Sequence, residues 1–147
     1  QPKQHRLLIF SRDNNVPSIQ YSDELGLLAN QEPSLGEITY FAFGIPSAEF
    51  HDELWGEIHC RIDPGSESGL NKALNEKYGF DYKKTWIREG KNGLRSESAT
   101  IPYYIRSSSH HPENRHNKPY TDDELEESTE SLIAVLKELQ STQTNIP

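Results

Sequence analysis

The run Arg106-Ser107-Ser108-Ser109-His110-His111 gathers the side chains of this chain best suited to proton transfer on a phosphate. A guanidinium holds a phosphate through paired N–H donors and stabilises the charge that builds up as phosphorus is attacked. An imidazole titrating near neutrality takes and returns protons. In RNA the neighbouring 2′-hydroxyl is the nucleophile, so the reaction needs no metal and leaves a 2′,3′-cyclic phosphate and a 5′-hydroxyl. Arg106 and His111 are expected to meet on the last turn of a helix that ends near position 110. A structural explanation of the same residues stands beside this one: both side chains bond the last helix carbonyls and complement the helix dipole.

Charge is distributed unevenly around this run. Net charge is −8, yet residues 83–118 carry eight Lys and Arg against Glu89, Glu97 and Glu113. An acidic body with one basic segment is compatible with local phosphate binding and argues against broad affinity for nucleic acid, although on charge alone an ordinary solvated stretch is the better explanation of the segment. His110, His111, Glu113 and His116 lie close enough in sequence to raise a metal site, but adjacent histidines seldom converge on one ion and no Cys pair or His-Glu-x-x-His run accompanies them. No metal or cofactor is expected. His51 and His59 read as partly exposed helix residues, and Cys60 as a buried structural thiol. Glu37 has two readings, a helix-capping acid or an acid that orients Arg106 or a His.

Helical signals position the run. Ser34-Leu35-Gly36-Glu37 is a capping box, and Leu35, Ile38, Ala42 and Ile45 follow at spacings of three and four, which predicts a first helix with those residues inward. Ile45-Pro46 breaks it. Ser47 caps a second helix through about Arg61, with Phe50, Leu54, Ile58 and Ile62 inward, and Asp63-Pro64-Gly65 ends it. Ser68 is the expected cap of a third, along which Leu70, Ala73, Leu74 and Tyr78 repeat before Gly79 supplies a left-handed stop. Residues 80–93, with Trp86 and Ile87, fit either a helical turn or a strand ending at Gly90 or Gly93. Thr100-Ile101-Pro102 starts a helix over about 101–111, with 93–99 as a candidate kinked extension. Thr121-Asp122-Asp123-Glu124 is a second capping box, and Leu125, Leu132, Leu136 and Leu139 predict a last helix over about 121–140.

The run Tyr104 to Asn114 resembles the Arg-x4-His signature of the HEPN superfamily, and its place at the end of one helix and before the last agrees with that likeness. The segments Gly36 to Gly44 and Ile45 to Trp55 also resemble the C-terminal domains of phage-defence ATPases. The resemblance implies a mainly α, HEPN-like bundle of about five helices over 34–147, after an irregular N-terminal segment over 1–33. It further implies a metal-independent endoribonuclease of a bacterial antiphage or toxin system, working as a homodimer on RNA such as tRNA. On that reading Arg106 binds and polarises the scissile phosphate, His111 aided by His110 is the general acid or base, and Arg115, Lys118 and Arg95 hold the RNA backbone. An ATPase or antitoxin is the further partner it implies.

The 147 residues suit one domain, and an apolar fraction of 33% is offset by twelve Tyr and Phe and two Trp. One cysteine forms no internal disulfide, no basic-then-apolar leader opens the chain, and no apolar run reaches bilayer length. A cytoplasmic protein without membrane contact is expected. The absence of Met, even at position 1, points to a processed chain or a domain of a longer protein. A rival of another class is a noncatalytic acidic module that binds a basic protein partner, as an immunity protein or antitoxin does, or that dimerises a defence ATPase.

Overall fold

Each helix begins where a short polar side chain can satisfy free N–H groups, and the inward stripes decide how the helices stack. In the computed structural model of the chain, residues 8–13, 16–21, 27, 28 and 33–144 are described. Among the described residues the fold is mainly α, with five helices and two hairpins. The elements are β1 (Leu8–Asp13), β2 (Val16–Tyr21), α1 (Leu35–Phe43), α2 (Ala48–Ile62), α3 (Glu67–Tyr78), β3 (Lys84–Gly90), β4 (Gly93–Ala99), α4 (Ile101–His110) and α5 (Asp122–Thr144). Among the described residues no helix is long and apolar enough to cross a membrane.

The second, third and last helices follow their sequence patterns closely. Ser47 accepts from the Phe50 N–H, and Phe50, Leu54 and Ile58 are fully buried with Ile62 packed beside them. Along α3, Leu70, Ala73 and Leu74 are buried, and Gly79 ends the helix at φ 73°. Its cap is Ser66 rather than Ser68, whose hydroxyl instead reaches Glu97 and Tyr103 at 3.2 and 3.4 Å. At the start of α5 the capping box is reciprocal: Thr121 Oγ1 accepts from the Glu124 N–H at 3.2 Å while Glu124 Oε2 accepts from the Thr121 N–H at 3.0 Å. Leu132 and Leu136 of α5 enter the same core as α2, together with Trp55, Trp86, Tyr103 and Tyr104.

The first helix turns a different face inward from the one its aliphatic spacing predicts. Leu35 is 79% exposed and Ile45 57%, whereas Tyr40 and Phe41 pack against the core and Glu37 is buried. Aromatic area decides the face: the Tyr40 and Phe41 rings lie 5.4 and 6.5 Å from that of Phe50. Gly36 permits this approach, because a Cβ there would stand 2.8 Å from the Phe50 Cβ. Gly36→Ala should therefore destabilise the protein, since overpacking of about 1–3 kcal/mol outweighs the ~0.5–1 kcal/mol that alanine gains in a helix. Thermal denaturation would register this as a lower Tm, and an unchanged or raised Tm would show that α1 shifts freely on α2.

Other expectations are corrected. Residues 93–99 are not an extension of α4 but the strand β4, antiparallel to β3 with Trp86 opposite Glu97 and Arg88 opposite Arg95. Gly93, at φ 100°, closes the turn between them. Cys60 is exposed, because it stands two residues beyond Ile58 and so about 200° around the helix from the inward stripe. His51 is fully buried rather than partly exposed, and bonds Ser128 of α5 through Nε2 at 2.8 Å. Within 1–33, read as irregular, β1 pairs with β2 in antiparallel register, Leu8 opposite Tyr21; 1–7, 14, 15, 22–26 and 29–32 lie outside the described residues.

Candidate functional site

Arg106 projects from the middle of α4, and the fold surrounds it with acids from other helices. Thr100 caps α4, accepting from the Tyr103 N–H, and Pro102 occupies the first turn where no backbone donor is required. Buried Asn71 fixes the start of α4 from α3: its Oδ1 accepts from the Thr100 N–H and its Nδ2 donates to the Ser98 carbonyl. Arg106 Nη1 then meets Asp52 Oδ2 of α2 at 2.5 Å, and Arg106 Nη2 lies 3.7 Å from Glu67 Oε1 at the start of α3. Three helices are cross-braced by one guanidinium.

The histidine on Arg106 is His110. One α-helical turn brings residues four apart together, whereas a spacing of five rotates the second by about 140°. Accordingly His110 Nε2 lies against Arg106 Nη1 and 2.5 Å from Asp52 Oδ2. His111 is the C-cap, at φ −127° and ψ 59°, and turns aside. Its ring lies 6.3 Å from that of Trp86, and its Nδ1 is 3.2 Å from Glu113 Oε1. Glu113 is held below its usual range, first by its own backbone N–H and then by His111.

All three predicted catalytic residues line one groove of about 900 Å³, bounded by α3, β3, α4 and the segment that follows α4. That segment is pinned to β3: Asn114 and Asn117 both donate to the Ile87 carbonyl, and the Ile87 N–H donates back to Asn117. The Tyr104 hydroxyl adds a bond to the Lys118 carbonyl. Pinning sets Arg115 and His116 on the groove wall beside Arg88 of β3. Of the predicted RNA-binding residues, Arg115 alone lines the groove; Arg95 is exposed on β4 and Lys118 beyond the wall. Glu67, Glu89 and Glu113 alternate with the arginines, so the groove is mixed in charge rather than uniformly basic.

Sequence reasoning missed Asp52 and Glu67. Asp52 pairs with Arg106 across 54 positions, and no motif marks it. Glu67 is further fixed by Trp55, whose buried indole N–H donates to Glu67 Oε2 at 2.5 Å. Glu37, weighed as an orienting acid, instead receives the Leu27 N–H at 3.3 Å; burial raises its carboxyl, an effect partly offset by that bond. Asp52 Oδ1 is buried and has no hydrogen-bond partner among the described residues. Among those residues no group of three or more His, Cys, Asp or Glu is arranged to hold a metal ion.

In the tautomer that carries its proton on Nε2, His110 donates to Asp52 and leaves Nδ1 as the lone-pair nitrogen. A carboxylate, an imidazole and a guanidinium in contact at a half-open surface suit proton abstraction next to an anionic centre. No family model, curated protein or solved structure matches this chain.

Proposed function

We propose that the groove is the site of metal-independent RNA cleavage, in a HEPN-like domain of a bacterial antiphage or toxin system acting in the cytoplasm. The observation that carries this reading is the contact of Arg106 and His110, which line the groove, with one carboxylate, Asp52, behind them on α2. His110 Nδ1 takes the proton of the 2′-hydroxyl, whose oxygen attacks the adjacent phosphorus. Arg106 offsets charge on the non-bridging oxygens, the bond to the 5′-oxygen breaks, and His111 returns a proton to that oxygen. The expected products are a cyclic phosphate and a 5′-hydroxyl end.

Arg115 and Arg88 are the cations placed to hold neighbouring phosphates. A homodimer, with an ATPase or antitoxin as regulator, belongs to the same proposal, and sedimentation of the purified chain tests the dimer. The function itself is tested by incubating wild type and His110→Ala with tRNA and a single-stranded RNA in EDTA, followed by end-group analysis. Cleavage by wild type alone, with cyclic phosphate ends, supports the proposal.

A second reading has its own support. Arg106 is already engaged by two carboxylates, as a purely structural brace would be. The exposed acids Asp122, Asp123, Glu126, Glu127 and Glu130 give α5 an acidic surface for a basic protein. If both folded proteins leave RNA intact, this noncatalytic interaction module is the better account.

A further inference from the structure

We infer that Glu67 is a built-in competitor for the substrate phosphate at Arg106 and so sets the affinity of the groove for RNA. This rests on reading the groove as a phosphodiester site and adds a specific regulator to it. Arg106 presents one nitrogen to Asp52 and His110, and the other, Nη2, to Glu67 Oε1 at 3.7 Å. The second nitrogen is thus the one left to an incoming phosphate, and an anion already stands before it. A separation of 3.7 Å is an ion pair without a tight hydrogen bond, which a phosphate oxygen can displace.

Glu67 is anchored on one side only. Its Oε2 is held by the buried Trp55 indole, while about half of its side chain is open to the groove. It therefore stays near Arg106 when the groove is empty, and its charge opposes any phosphate that arrives. Trp55 needs an acceptor for its N–H, but a neutral amide oxygen serves that need as well as a carboxylate. The negative charge is consequently separable from the structural role.

The experiment measures binding of a short fluorescein-labelled 2′-O-methyl oligonucleotide by anisotropy, a probe that lacks the attacking hydroxyl and is not cleaved by this chemistry. Glu67→Gln keeps an acceptor for Trp55 and removes the charge. It is expected to bind the probe roughly threefold to tenfold more tightly, the scale of one like charge removed a few ångströms from a phosphate near water. Glu67→Ala should also tighten binding while lowering Tm through the unpaired indole, which separates charge from hydrogen bonding. Probe binding that weakens in Arg106→Ala but is unchanged in both Glu67 variants would overturn the role of Glu67 and leave the RNA site standing. Binding indifferent to Arg106 as well would overturn both.

Discussion

His110→Ala should slow RNA cleavage by about 10²–10⁴-fold, the range a positioned general base contributes, while changing the melting temperature little. The side chain is 46% exposed and lies at the last residue of α4, so its removal opens no core cavity. Arg106→Ala is expected to abolish cleavage as well, but its interpretation is mixed. Loss of the guanidinium leaves Asp52 and Glu67 facing each other without their shared cation, so stability falls together with activity. Asp52→Asn adds a third position to the test. It keeps the shape of the contact and removes the negative charge that faces His110 and Arg106, so it should lower the rate less than His110→Ala and leave product chemistry unchanged. His111→Ala should chiefly slow the step that protonates the leaving oxygen. Full activity in His110→Ala would refute its assignment as the base, and a rate equal to wild type in all four variants would remove the groove from catalysis.

The difference between His110 and His111 also shows where sequence stops informing. A motif defined by four intervening residues carries no statement about where the helix ends, and here it ends at His110. Contact with Arg106 then follows helical geometry, which favours the i+4 residue. Capping residues and aliphatic repeats made α2, α3 and α5 legible because those signals are local and act within one turn. They misplaced the inward face of α1 because packing of Tyr40 and Phe41 on Phe50 is a tertiary choice. The hairpin of β3 and β4 was ambiguous for a similar reason. Its alternation is short, and only Trp86 of β3 and Ala99 of β4 are buried, so its apolar periodicity is faint. Asp52 and Glu67 were illegible altogether: each is one acid among 23, distinguished only by the chain bringing α2 and α3 against α4.

A separate expectation concerns the residue next to Asp52. His51 is fully buried between α2 and α5, with Nε2 on Ser128 and Nδ1 lacking a partner among the described residues. Burial lowers its pKa to about 4; Asp52 opposes that shift and Arg106 adds to it. In the unfolded chain the same group titrates near its ordinary 6.5. Below that pH the unfolded state takes up a proton that the folded state refuses, so folding stability falls as pH drops from about 6.5 to 4 and levels off once both states are protonated. Each unit of difference corresponds to about 1.4 kcal/mol, so the full loss is on the order of 3 kcal/mol, a large part of the stability of a domain this size. His51→Gln removes the titration while leaving an amide to meet Ser128. Urea denaturation of both proteins across this pH range should give curves that converge toward acid, wild type losing stability more steeply. Parallel curves would mean that His51 does not carry the pH dependence.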